Sequence, residues 1–307
     1  MPRLIKPHAI RAGARIGIAA PAGPVDREKL EHGEALLRRA GFETVRRDDL
    51  LSREGYLAGD DRRRAGELME LVRDPTVDAI LCARGGYGCD RILDALDADA
   101  VRAARKPLIG YSDITALLLW QRRCAGLVGF HGPMLEHGAD LDAGALTAML
   151  AELTGTAERP MLLSGRAGEG GVAEGPLVGG NLVLVTASLG TRWEIDTRRA
   201  ILLIEEVGEQ PYRIDRMLQQ LRGAGKLGEL AGIGVGDVST CVDPSCPSPT
   251  AEDVIREVVR PLGVPLVTGL PIGHVKSNRT WPLGVRAAID ADRGEIRILE
   301  RGVSERS

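Results

Sequence analysis

Ser112 stands in the stretch KPLIGYSDITALLLW, residues 106–120. There a short apolar run turns through residues 110–113 into a helix-like pattern of Ile114, Leu117, Leu118 and Trp120. A serine at a strand-to-helix turn presents its hydroxyl at the C-terminal edge of a sheet, beside the N–H groups of the helix's first turn. That position suits a nucleophile. It also suits a helix cap, because the side chains of Ser112 and Asp113 can both accept from those N–H groups.

A serine nucleophile needs a base, an acid to orient the base, and donors for an oxyanion. The chain has five histidines. His8 precedes the first expected strand, and His32 and His137 lie in polar surroundings. His131 follows the apolar LVGF, and His274 lies in the Gly-bounded loop GLPIGHVKSNRT. Glu205 is delivered by the apolar run 200–204, which puts it at a strand end or makes it a buried, paired carboxylate. Arg213 is the candidate partner for a purely structural ion pair. Strand alternation turns Glu206 to the opposite face.

The turn Arg84-Gly85-Gly86-Tyr87-Gly88 matches neither the dinucleotide fingerprint nor a phosphate-binding loop. Its backbone N–H groups are suited to an oxyanion or a substrate carboxylate; a plain tight turn is the alternative. Arg84 offers a bidentate contact to a carboxylate. Ser112, Glu205 and His274 follow one another in the order serine, acid, histidine, each at a strand end or in a loop.

Strands are expected at 15–20, 42–46, 77–83, from 106 to the Ser112 turn, and at 127–130. Helical patterns from about Asp26, over 59–74, from Cys89 through Leu96 and after Ser112 separate them. This alternation predicts an α/β domain with a largely parallel sheet, whose ligands bind at the C-terminal ends of the strands. A helix over 141–154 closes a first domain at 1–155. The Gly-rich stretch 156–174 reads as a linker. A second domain, 175–307, follows, with strands at 200–204, 231–238, 265–269 and 284–290 and helices from Pro211 and over 251–260.

Apolar residues make up 44% of the 307-residue chain and charged residues 27%, the balance of an ordinary globular protein. A net charge of -3 and 3% aromatics supply neither a basic surface nor a stacking platform for nucleic acid. The N-terminal stretch is interrupted by Arg11 and Arg15, and no later run approaches the length of a membrane span, so a cytoplasmic protein without membrane contact is expected. Cys82 and Cys124 read as small core residues. Cys241 and Cys246 lack a second ligand pair, so no metal is expected.

Four blocks together resemble the LD-carboxypeptidases, the serine peptidase family that also contains the microcin C resistance peptidases. They are RGGYG at 84–88, GYSDITAL at 110–117, the pair GPLVGGNL and LLIEEVGEQPYRIDRML, and TGLPIGH at 268–274. The resemblance spans nearly the whole chain, from APAGPV at 20–25 to WPLGVRAAID at 281–290. It implies an N-terminal flavodoxin-like parallel-sheet domain and a smaller β-rich mixed C-terminal domain, with the active site between them. It makes Ser112 the nucleophile, His274 the general base and Glu205 the acid that orients it. It assigns the oxyanion to the backbone N–H groups of Gly86 and Asp113, and places Arg84 and Asn181 near the substrate. Glu206 stands where the family commonly has Asp, which touches none of these roles.

The implied reaction is cofactor-free, metal-independent removal of terminal D-alanine from murein tetrapeptides, by a homodimer. Amide hydrolysis on aminoacyl-nucleotides, as in the microcin branch, is the alternative within the family. A non-catalytic module holding a carboxylate or phosphate on the Gly-rich turn is the alternative outside it, and a metal-dependent hydrolase is a third reading.

Overall fold

The computed structural model describes residues 4–135 and 143–305; His137 lies outside the described residues. In chain order the elements are β1 (Arg15–Ala19), α1 (Arg27–Arg39), β2 (Glu43–Val45), α2 (Asp61–Arg73), β3 (Ala79–Cys82), α3 (Ala98–Ala104), β4 (Leu108–Gly110), α4 (Ile114–Trp120), β5 (Phe130–His131) and α5 (Ala143–Thr154). There follow β6 (Met161–Ser164), β7 (Arg166–Ala167), β8 (Val172–Asn181), α6 (Leu182–Ala187), β9 (Ile201–Glu205), α7 (Pro211–Gly223), β10 (Gly232–Val235), α8 (Ala251–Val259), β11 (Leu266–Thr268), β12 (Trp281–Pro282), β13 (Arg286–Asp290) and β14 (Glu295–Ile298).

These elements form two compact units. The first runs to Ala157 and takes back Thr280–Pro282 and the chain from Arg301; the second holds Glu158–Arg279 and Leu283–Glu300. In the first, the described strands lie in the order β2-β1-β3-β4-β5-β12, parallel except for β12. This is a flavodoxin-like order, with its direction switch between β1 and β3, and ligands of such sheets bind beyond the strand ends at that switch. All four residues of β3 are buried, as a parallel strand covered on both faces requires. Leu30 and Leu37 of α1 and Leu146, Met149 and Leu153 of α5 pack with Ile16, Ile18, Leu81 and Ile109. Asp26 and Asp60 start α1 and α2 by accepting the N–H groups of Lys29 and Arg63 at 3.1 and 2.6 Å.

The second unit has a mixed sheet, in the order β6-β14-β13-β8-β9-β10-β11-β7 among the described residues. β8 to β11 run parallel, which brings the ends of β8 and β9, Asn181 and Glu205, side by side. Here the structure departs from the sequence reading. The stretch 156–174 is no linker: it contains β6, β7 and the start of β8. Met161 and Leu163 of β6 face the interior while Leu162 and Ser164 face out, an alternation too short to stand out in a Gly-rich stretch. The second domain expected over 175–307 is likewise interrupted, since β12 pairs with β5 in the first sheet.

The helix expected from Cys89 through Leu96 is two short 3-10 turns. α3 begins only where the Asp97 side chain accepts the Ala100 N–H, at 3.0 Å. Cys124 is exposed, not core, because a π-helical turn after α4 carries Arg123 and Cys124 outward. Among the described residues no helix is long and apolar enough to cross a membrane.

Candidate active site

β4 ends at Gly110, and the chain reaches α4 through Tyr111, Ser112 and Asp113. Ser112 has φ +59°, in the left-handed region that residues other than glycine rarely enter. The N–H groups of Ile114, Thr115 and Ala116 are taken by the carbonyls of Tyr111, Ser112 and Asp113, at 3.2, 2.9 and 3.2 Å. Asp113 makes no capping hydrogen bond at the helix start. Its carboxylate reaches across to the next loop and accepts the Cys89 N–H at 2.8 Å. Behind the turn, the Tyr111 ring meets His131 edge-on, and His131 stacks on Trp281 at 5.1 Å. His131 is thus fully buried among aromatic rings.

The loop after β3 lies against the same turn. A Cβ on Gly85 would stand 2.9 Å from the Ser112 Cβ and 3.1 Å from its Oγ, so only glycine permits this approach. The next residue, Gly86, has φ +107°. The loop after β1 joins in, Gly23 donating to the Gly85 carbonyl at 2.9 Å. Arg64, fully buried on α2, ties these loops together, its Nη1 donating to the carbonyls of Pro21 and Gly88 at 2.5 and 2.7 Å. Arg84 Nη1 donates to the Pro24 carbonyl at 2.6 Å. Ser112, Asp113, Gly86 and Arg84 therefore share one edge of the first sheet.

Burial pushes the Asp113 carboxyl up to about 6, against the opposing hydrogen bonds from Cys89. From near its ordinary value of 3.8 up to about 6, the folded protein keeps a proton that the unfolded chain has released. Stability must therefore fall as pH rises through that window, with the penalty complete above it. Asp113→Asn removes this titration. The stability of the variant relative to the parent should rise between about pH 4 and 6 and level off above, as measured by urea unfolding across pH. A difference that stays flat with pH would contradict the buried, proton-retaining carboxyl.

In the second unit, Glu205 closes β9 and is almost fully buried. Its Oε2 lies 2.7 Å from Nδ1 of His274, whose side chain is 20% exposed. With Nδ1–H donating to the carboxylate, Nε2 carries the lone pair of a base. Arg213 pairs with Glu209, not with Glu205. Two neighbours fix this pair, and neither stands out in the sequence beyond the glycine bounding the loop. Gly273, at φ +94°, would carry its Cβ within 2.5 Å of the Glu205 Oε2, and its N–H donates to buried Asn278 at 3.1 Å.

Glu206 does face the other way, accepting from Asn181 Nδ2, Val183 N and Val207 N at 3.0, 2.9 and 2.9 Å. Burial raises its pKa. Asn181 thus bonds Glu206 through its amide nitrogen, while its oxygen accepts from Leu184 at the start of α6.

Among the described residues no group of three or more His, Cys, Asp and Glu side chains could hold a metal ion.

Residues 16–132 match the family described as the LD-carboxypeptidase N-terminal domain, and residues 174–289 the LD-carboxypeptidase C-terminal domain. The probable murein peptide carboxypeptidase of Bacillus subtilis is 40% identical over 98% of this chain and 96% of its own. Among solved structures, the muramoyltetrapeptide carboxypeptidase of Oxalobacter formigenes superposes with a TM-score of 0.83 at 29% identity, over 93% of this chain and 98% of that one. MccF in complex with glutamyl sulfamoyl guanosine superposes with a TM-score of 0.88 at 26% identity, over 99% and 100%.

Proposed function

The chain belongs to the LD-carboxypeptidase family of serine peptidases, and from that premise we propose that it releases the terminal D-alanine of murein tetrapeptides with Ser112, Glu205 and His274 as a triad. The observation that carries the reading is the 2.7 Å pairing of His274 Nδ1 with buried Glu205, which leaves Nε2 as a base. In this mechanism Nε2 takes the Ser112 proton while Oγ attacks the carbonyl carbon of the L–D amide. The N–H groups of Gly86 and Asp113 receive the charge that develops on oxygen. The C–N bond then breaks, Nε2–H protonates the departing amine of D-alanine, and an ester to Ser112 remains. Water, deprotonated by Nε2, cleaves the ester and restores the serine.

Arg84 and Asn181 are proposed at the substrate. Asn181 gives one amide N–H to Glu206 and accepts from Leu184, and an amide has a second donor and a second lone pair to offer a ligand. A cytoplasmic setting and a homodimer accompany the reading from the family resemblance; light scattering of the purified protein tests the dimer.

Purified protein given murein tetrapeptide should release D-alanine, read by a D-amino-acid oxidase assay. Protein inert on tetrapeptide but active on an aminoacyl-nucleotide amide belongs with the microcin branch, a reading kept in view by the ligand named with MccF. Binding without turnover of either substrate would support the non-catalytic module.

A further inference from the structure

Beside the Gly85–Gly86 turn, at the switch point between β1 and β3, the first unit has a cavity of about 380 Å³ lined in part by Pro24, Asp26, Lys29, Arg53 and Arg84. Three cationic side chains meet there with a single carboxylate, and that carboxylate is already engaged, since Asp26 accepts the Lys29 backbone N–H as the cap of α1. Arg84 is held to the wall through the Pro24 carbonyl at 2.6 Å. It immediately precedes Gly85, whose backbone lies against Ser112. The cavity is thus concave, positively charged and one residue from the turn expected to hold the oxyanion. Open α/β sheets bind ligands at this topological position, and cations gathered in a cleft attract anions more strongly than the same charges spread over a convex surface.

Resting on the function proposed above, we infer that this cavity is an anion subsite that grips a carboxylate of the peptide substrate, with Lys29, Arg53 and Arg84 as its specificity determinants. The murein peptide carries a carboxylate at its terminal D-alanine and others along its length. The subsite selects acidic peptides and holds one of these carboxylates while the scissile amide lies at Ser112. Cationic side chains suit a carboxylate through charge-assisted hydrogen bonds, and Arg84 adds the planar fork that matches it.

The test uses the full-length Ser112→Ala protein, so that peptide is bound and not consumed, and compares it by calorimetry with Ser112→Ala carrying Lys29→Gln and Arg53→Gln. Lys29 and Arg53 are exposed, so their substitution leaves the core untouched. The added pair should weaken tetrapeptide binding about tenfold at low salt, and the difference should shrink as salt rises. Peptides amidated at the terminal or at an internal carboxylate identify the group that is held, because the tenfold difference disappears for the peptide that lacks it.

Equal affinities of the two proteins for acidic and amidated peptides would overturn the subsite. If the protein with Ser112 intact releases no D-alanine and the Ser112→Ala protein binds no peptide, the function reading fails. The subsite is then judged separately by NMR titration with glutarate: weaker binding to the Lys29/Arg53 double variant than to its parent sustains it, and equal binding rejects it.

Discussion

Ser112→Ala is expected to lower kcat for D-alanine release by a factor on the order of 10⁴ to 10⁶ while the protein stays folded and still binds peptide. The size follows from what the hydroxyl does. Without it no ester forms, His274 has no proton to receive, and only the oxyanion donors and substrate binding remain to assist an attack by water. Retained peptide affinity, with a thermal midpoint close to the parent's, separates loss of chemistry from loss of fold. The left-handed backbone at Ser112 persists in the variant, because the turn is held by Tyr111, by the Asp113 bond to Cys89 and by the close approach of Gly85. Turnover that survives the substitution rejects Ser112 as the nucleophile. The non-catalytic reading predicts something else: unchanged ligand affinity and no turnover to lose.

What could be read from the sequence depended on the range of the contact. The strand–helix alternation of the first half is local, and β1 to β4 fall within the apolar runs expected for them, while β5 overlaps the expected 127–130 only at Phe130. Glu205 at the end of an apolar strand and Glu206 on its other face follow from period-two geometry, which any buried strand enforces. At Ser112 and Asp113 local rules gave two answers. A short polar side chain before a helix is usually its cap, yet Asp113 instead pins the loop at Cys89, 24 residues earlier. That distant N–H takes Asp113 away from the cap, and nothing in the local pattern reports it.

The same holds for Arg64, which reads as one more charge on an amphipathic helix but is wholly buried because two loop carbonyls need its donors. β6, β7 and β14 carry little local signal for another reason. They are short strands beside Gly-rich turns, and they are fixed by their partners in the sheet more than by their own composition. The oxyanion roles proposed for Gly86 and Asp113 rest on the resemblance to a family, since no spacing argument reaches them.

His274→Ala should cost about as much activity as Ser112→Ala, and combining the two should cost little more than either alone, because groups acting as one unit are lost together. Glu205→Gln should be severe as well, on the order of 10⁴ in kcat. The amide keeps the carboxylate's shape, but by offering an N–H toward Nδ1 it favours the tautomer with the proton on Nε2, where the base must be empty. Its effect should fall on kcat more than on KM, since the pair acts on the proton in flight and not on the bound peptide. The loop lies close to Glu205 because residue 273 is glycine, whose added Cβ would come within 2.5 Å of Oε2. Ser112 belongs to the first unit and the Glu205–His274 pair to the second. The double-mutant cycle between Ser112 and His274 is therefore the measurement that tells whether they serve one reaction. Strict multiplication of the two single losses would mean that they do not.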